Sequence, residues 1–201
     1  MSHQLAFFAA WPCLLWLLRE ARTPERALYG AVYALSLLCL LGVSALYHRR
    51  TWTPVGRARM RLLDHSVVFL LIAGTYTPLT LLAVGGLRGA LLCAVIWLGA
   101  LLGIGQTLFW PTAPRALHVG LYVVLGWAGA FGLAGERATL GSSWMIIHLL
   151  SGVVYTLGAL TYARKRPDPY PRVFGYHEIF HLLVLVACGG LFAVVWRCLT
   201  Y

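Results

Sequence analysis

Apolar residues fall in seven runs separated by short polar segments. Six of the runs are long enough to cross a hydrocarbon core, which takes about 20 residues as a helix. The first is short, at 5–18, and we count it as a span extended to residue 1. It does not resemble a signal peptide, because no Lys or Arg precedes it and no small-residue cleavage site follows. The predicted spans cover residues 1–18, 27–47, 62–84, 87–109, 117–134, 144–163 and 177–198.

This pattern predicts an all-α polytopic membrane protein, a seven-transmembrane-helix bundle in one domain at 1–201. Composition agrees, since 60% of the residues are hydrophobic and 11% are charged, against about 25% charged in soluble domains. The formal net charge of +10 could indicate nucleic acid. We exclude nucleic acid as a partner because the arginines occupy short caps between apolar runs, where they suit lipid head groups. Membrane lipids are the expected partners. Five scattered cysteines predict packing rather than a disulfide framework.

Loop charge predicts the orientation. With seven spans, one side of the membrane holds ten of the 16 Lys and Arg residues and the other side holds six. The richer side is expected to be cytoplasmic. It comprises Arg49, Arg50, Arg57, Arg59, Arg61, Arg115, Arg164, Lys165, Arg166 and Arg172. The N-terminus is then predicted inside and the C-terminus outside.

The last run opens with two histidines, His177 and His181, at a spacing that places them on one helix face. Such a pair can reach one metal ion, and ionisable groups at a membrane boundary are functional candidates. His48 ends the second run, and Asp64 lies near the start of the third. Four crossings separate the second run's end from the seventh's start. An even number places all of these groups on one side, even if the first span is miscounted.

Three histidines with an open position are typical of catalytic zinc, which activates water and polarises carbonyls. We therefore expect His48, His177 and His181 to converge as metal ligands. Asp64 is then the candidate general base or the partner of a ligand. Ser44, one turn before His48, is expected to hold a water or the aspartate.

The remaining candidates are weaker. His3 and His65 are interpreted as interfacial residues, and His118 as a reserve ligand. His148 is expected to form hydrogen bonds within the bundle near the other face. Residues 177–181 also match H-E-x-x-H, in which Glu178 would be a general base. No His, Asp or Glu follows His181, so that motif lacks its usual downstream ligand.

Taken in order, these motifs resemble the hemolysin III proteins, the bacterial branch of the progestin and adipoQ receptor superfamily. The likeness rests on Ser44-x-x-x-His48, on Leu63-Asp64-His65, and on three stretches: FLLIAGTYTP at 69–78, VYTLGA at 154–159 and FGYHEIFH at 174–181. It covers nearly the whole chain, from about residue 27 to residue 196.

The resemblance implies a seven-helix bundle in the plasma membrane (the bacterial inner membrane), with its N-terminus inside. It implies Zn²⁺ held by His48, His177 and His181 near the cytoplasmic face, Asp64 contacting the zinc-bound water, and Ser44 in the same site. Glu178 is not shared with the receptor branch. Adiponectin receptors are linked to ceramide hydrolysis, which implies a lipid or fatty-acyl substrate and a zinc-dependent hydrolase of lipid amide or ester bonds.

Two alternatives remain. One is a non-enzymatic membrane sensor or regulator in which zinc is structural. The other is a pore-forming cytolysin, as the family name suggests. A pore predicts polar stripes along several spans, whereas the polar residues here gather at one end.

Overall fold

A computed structural model describes residues 2–170 and 174–201 of the chain. The predicted extension of the first span to residue 1, and Arg172 of the charge count, lie outside these residues. The described part is helical, with one isolated β-bridge between Tyr170 and Phe174. Its α-helices, in chain order, are α1 (Ser2–Arg19), α2 (Pro24–Arg49), α3 (Pro54–Pro78), α4 (Gly86–Phe109), α5 (Arg115–Ala128), α6 (Leu133–Leu140), α7 (Ser142–Arg164) and α8 (Tyr176–Thr200).

Two short helical segments join neighbouring α-helices. The π-helical Leu79–Val84 extends α3, and the 3₁₀ turn Gly129–Gly132 joins α5 to α6. Counted with these extensions, 6 helices of the described chain are long and apolar enough to span a membrane, and α1 is not among them. The all-helical membrane architecture is therefore confirmed, while a seventh span stays a prediction.

The helix ends follow from local sequence. Thr23 caps α2 by accepting the Arg26 N–H at 3.2 Å, and Thr53 caps α3 in the same way. In each case proline follows the cap at the first helical position, where its missing N–H costs nothing. Gly141 has φ +99°, which other residues rarely adopt, and it allows the tight connection from α6 to α7.

The π-helical segment begins directly after Pro78. Proline lacks an N–H donor, so the regular α-helical ladder is interrupted there. The buried threonine hydroxyls on either side of Pro78 donate to carbonyls one turn earlier: Thr77 donates to Ala73 O at 2.9 Å and Thr80 donates to Tyr76 O at 2.7 Å. These bonds satisfy the two hydroxyls away from water.

Packing brings sequence-distant helices together. α2 packs on α3, α7 packs on α8, and α1 packs on both α2 and α8. Gly99 and Gly103 of α4 mark close approaches, as their small-xxx-small spacing suggests. A Cβ at Gly99 would lie 2.6 Å from Leu125, and one at Gly103 would collide with the Phe69 ring. All five cysteines are free.

Candidate metal centre

Three histidines from two helix ends meet at one end of the bundle. His48 lies in the last turn of α2, while His177 and His181 lie in the first two turns of α8. The Nε2 atom of His177 is 3.3 Å from His48 Nε2 and 3.0 Å from His181 Nε2. One ring nitrogen from each of the three lies within 4.8 Å of the others. We call these residues the histidine cluster.

The donor set of the histidine cluster fits a metal ion. Imidazole nitrogens bind Zn²⁺ at about 2.0–2.1 Å, so two of them in a tetrahedral site are separated by about 3.3 Å. Two of the observed separations, 3.0 and 3.3 Å, lie just below and at that value, and all three nitrogens lie within 4.8 Å of one another. Nitrogens at this distance repel unless a proton or a cation lies between them. Imidazole also suits copper, iron and nickel, so the donors do not select zinc.

His3 of α1 extends the histidine cluster, and the sequence-based interpretation of His3 as interfacial is wrong. Its side chain is buried, with 7% of its surface exposed. Its Nε2 lies 2.9 Å from His181 Nδ1, and its Nδ1 lies 2.9 Å from Ser44 Oγ. α1 packs on α2 and α8, and this packing carries His3 into the site. In the sequence, the one sign of this role is that His3 lies two residues before a short apolar run.

These contacts fix the direction of the hydrogen bonds if His181 binds a metal through Nε2. Its Nδ1 then carries the proton and donates to His3 Nε2. His3 in turn donates from Nδ1 to the Ser44 hydroxyl. Ser44 is buried and lies beside the Asp64 carboxylate, to which its own proton can point. Ligand histidines are commonly held in this way by outer hydrogen-bond partners.

A cavity of about 720 Å³ is lined by the histidine cluster at one end of the bundle and by residues as deep as His148. Asp64 and Ser44 line it together with the cluster. The walls deeper in are mostly apolar, and three arginines line the cavity as well: Arg57, Arg61 and Arg115. The site therefore combines nitrogen donors, a carboxylate, cationic side chains and an apolar interior.

The remaining candidates near this end lie outside the histidine cluster. The rings of His65 and His118 contact each other, with centroids 5.6 Å apart, and both line the cavity. Glu178 is exposed, and its Oε2 accepts the Gly175 N–H at 2.9 Å. Glu178 thus caps α8, as carboxylates at the third helical position do. That contact gives no support to Glu178 as a general base.

A second buried histidine lies far from the histidine cluster. His148 forms hydrogen bonds within the bundle, as expected: its Nδ1 is 2.6 Å from Glu136 Oε2, and its Nε2 is 3.2 Å from the Tyr76 hydroxyl. Glu136 was missed, because the fifth run was predicted to end at residue 134. The helical segment continues to Leu140 and Glu136 is 2% exposed. Two adjacent charged residues such as Glu136 and Arg137 are typical of a loop. A hydropathy average counts the charge of Glu136 but not the contact with His148 that compensates it.

The fold and the site together define an integral membrane protein, a helical bundle with a histidine cluster at one end of an internal cavity. Comparison with known proteins gives the family: a sequence model described as Haemolysin-III related matches residues 1–191. The chain belongs to this family, which confirms the resemblance seen in its motifs.

Individual relatives agree with this assignment. The chain is 28% identical over 203 residues to the Hemolysin-3 homolog of Bacillus subtilis (strain 168), covering 97% of this chain and 90% of the relative. It is 28% identical over 198 residues to Hemolysin-3 of Bacillus cereus, covering 97% and 87%. It is also 29% identical over 195 residues to the Adiponectin receptor protein of Drosophila melanogaster, covering 84% of this chain and 41% of the receptor.

Proposed function

We propose that this protein is a zinc-dependent hydrolase that cleaves an amide or ester bond of a membrane lipid. The observation that carries the proposal is that the histidine cluster and Asp64 together line one largely apolar cavity. A lipid has the matching shape, with a polar linkage near the head group and an acyl chain that suits apolar walls. The family relation to an adiponectin receptor supports a lipid-facing role.

His48, His177 and His181 would hold the ion. Zinc bound there would act as a Lewis acid that polarises the lipid carbonyl and acidifies a water molecule. Asp64 accepts the proton of the attacking water and passes it to the leaving nitrogen or oxygen. The acyl carbon gains the hydroxyl and loses its bond to the leaving group, so the products are a fatty acid and an amine or alcohol.

The other residues position this reaction. His3 fixes the ring orientation and tautomer of His181, and Ser44 links His3 to Asp64. The apolar walls hold the acyl chain and exclude water from its length. The arginines that line the cavity, Arg57, Arg61 and Arg115, attract the anionic surface or head groups of lipids.

The test is lipid hydrolysis by purified protein supplied with zinc, assayed on a panel of ceramides and other lipid amides and esters. Asp64→Asn should lower the rate by about 10²–10⁴-fold, the usual contribution of general acid–base catalysis, while the metal stays bound. Glu20→Gln, which changes an exposed carboxylate, is the matched control. Full activity in Asp64→Asn would remove the proton role of Asp64. A wild type without metal, even after zinc is supplied during expression, would end the hydrolase proposal.

A structural role for the metal is the second candidate. The histidine cluster and His3 join the ends of α1, α2 and α8, the last of which is far in sequence from the other two. An ion there would clamp the bundle in a non-enzymatic sensor or regulator. In that case chelation should lower the melting temperature, and no lipid of the panel should yield a product.

We further propose that the histidine cluster lies at the cytoplasmic face, with the C-terminus outside. The support is the excess of basic residues in the loops on that side. Alkaline phosphatase fused after Tyr201 should be active, since it folds outside the cytoplasm. If a reporter that is active only in the cytoplasm works when it is fused after Tyr201 instead, the proposed orientation is wrong.

A further inference from the structure

Glu136, His148 and Tyr76 form a hydrogen-bonded row inside the bundle, which we call the carboxylate–imidazole–phenol row. Glu136 Oε2 contacts His148 Nδ1 at 2.6 Å, and His148 Nε2 contacts the Tyr76 oxygen at 3.2 Å. The Tyr76 hydroxyl donates to the Gly126 carbonyl at 2.5 Å. The row has no part in the proposed hydrolysis. Ionisable groups buried at membrane depth are costly and are therefore functional candidates.

Counting donors fixes the number of protons in the row. The Gly126 carbonyl can only accept, so the single hydroxyl proton of Tyr76 points to it. His148 Nε2 must then carry a proton, because otherwise two lone pairs would face each other. The short contact at Nδ1 needs one more proton, carried either by Nδ1 or by Glu136. Either arrangement makes the Glu136–His148 pair neutral overall and gives it one proton that the two residues share.

The row can form further hydrogen bonds at both of its ends. His148 and Tyr76 line the cavity, so the imidazole side is open to whatever the cavity contains. Glu136 does not line it, and its second oxygen, Oε1, is buried without a hydrogen-bond partner in the described chain. A buried carboxylate oxygen left unpartnered is a place where a further proton or donor can arrive.

The row also lies between the two ends of the bundle. Along α3, Tyr76 is twelve residues from Asp64, about 18 Å at 1.5 Å per residue. Glu136 lies one turn, about 6 Å, before α6 ends at Leu140. The residues that line the cavity include both the histidine cluster and His148.

Few other charges act on Glu136. Its ion-pair partner within residues 2–170 and 174–201 is His148. Tyr76 of α3 and the Cys198 thiol of α8 also lie close enough to interact with its charge. Arg26 binds the carbonyls of Cys198 and Leu199 rather than the carboxylate. Arg137 follows Glu136 in the chain, but within the described residues no Lys or Arg side chain forms an ion pair with Glu136.

We propose that the carboxylate–imidazole–phenol row is a proton-transfer site that carries protons between the far end of the bundle and the cavity. The proton on His148 Nε2 leaves to a cavity water beside Tyr76. The shared proton then completes its move from Glu136 to His148 Nδ1, and Glu136 takes up a new proton at Oε1 from the far end. The one proton left on the imidazole then moves from Nδ1 to Nε2, and the Glu136 carboxyl turns so that its new proton faces Nδ1, which restores the starting state. No electron moves and no metal is needed, so the site works independently of the proposed hydrolase.

The test is proton flux in liposomes that contain the full-length protein and a trapped pH-sensitive dye. A potassium diffusion potential set with valinomycin drives protons inward. Wild type should acidify the interior at least several-fold faster than protein-free liposomes. Glu136→Gln, which keeps the shape and removes the acid, should return the rate to the protein-free value. Glu20→Gln should keep the wild-type rate, because Glu20 is exposed at the end of α1.

Two further variants separate the proposal from misfolding and from the metal site. Tyr76→Phe keeps the aromatic ring against Gly129 and removes only the hydroxyl, so flux should fall while the protein stays monodisperse. Glu178→Gln, which removes an exposed carboxylate beside the histidine cluster, should keep the wild-type flux. The proposal is overturned if wild type acidifies no faster than protein-free liposomes, or if Glu136→Gln or Tyr76→Phe keeps the wild-type rate.

Discussion

The two ends of the cavity both bury histidines, but they surround them with different partners. At the histidine cluster, imidazole nitrogens face other imidazole nitrogens at 3.0 and 3.3 Å. At the carboxylate–imidazole–phenol row, His148 faces a carboxylate on one side and a phenol on the other. Every donor of the second group finds an acceptor within the protein, whereas the first group needs a cation or extra protons.

The difference shows which buried polar group demands a ligand. A row of complementary donors and acceptors holds itself together, and its removal costs stability. A set of like donors is held by the surrounding helices, and its energy is recovered only when an ion arrives. We therefore expect variants of the first group to lose metal and variants of the second to lose stability.

The largest expected effect is on metal content. The double variant His177→Ala/His181→Ala removes two of three donors, so bound metal should fall from about one ion per chain to almost none. His148→Ala should keep its metal, since His148 lies outside the histidine cluster. Mass spectrometry of detergent-purified protein gives both numbers. Equal loss in both variants would erase the proposed distinction between the two ends.

Next in size is the stability effect of Glu136→Ala. This change leaves His148 Nδ1 without its partner and empties a fully buried position, so the free energy of unfolding should fall by about 3 kcal/mol. Glu20→Ala, at an exposed position, should change it by less than about 0.5 kcal/mol. Thermal denaturation in detergent measures both variants. A Glu136→Ala protein as stable as wild type would contradict the buried pairing.

A smaller effect is expected at His3. Because His3 touches His181 rather than the ion, His3→Ala should weaken metal affinity by about 10–100-fold without abolishing binding. His3→Gln keeps a hydrogen-bonding side chain and should restore part of the affinity. Competition with a chelator of known affinity supplies the measurement. Unchanged affinity in His3→Ala would return His3 to a purely structural role.

The smallest effect concerns the packing around Tyr76. A Cβ added at Gly129 would collide with the Tyr76 ring, so Gly129→Ala should cost about 1–3 kcal/mol of stability. Gly120→Ala meets nothing within 4 Å and should be neutral or slightly stabilising. The difference between the two melting temperatures isolates the clash. If Gly129→Ala melts like Gly120→Ala, the close approach is not required.

Much of the fold could be predicted from the sequence, because lipid-spanning helices need long apolar runs and few charges. The meeting of His48 with His177 and His181 followed from an even number of crossings, a topological argument that needs no contacts. His177 and His181 are also one helical turn apart, which places both of them on the same helix face. These features depend on sums over a run or on position along a helix, and such quantities can be read without a structure.

What the sequence did not reveal depends on pairing. His3 belongs to α1, an 18-residue helix, and its role comes from the packing of that helix on α2 and α8. Glu136 looked like a loop residue because a charge beside Arg137 lowers hydropathy, while its compensation by His148 comes from another helix. The π-helical segment after Pro78 is also local pairing: the hydroxyls of Thr77 and Thr80 donate to backbone carbonyls one turn earlier.

The contact between His3 and His181 joins residues 178 positions apart. During synthesis the first of them leaves the ribosome long before the second, so the completed ligand network cannot exist until the final helix has been inserted. Binding of the proposed metal would therefore be a late event in biogenesis. A chain stalled or cut short before α8 offers only His48 of the three proposed ligands, so a fragment would lack the site that a finished molecule carries.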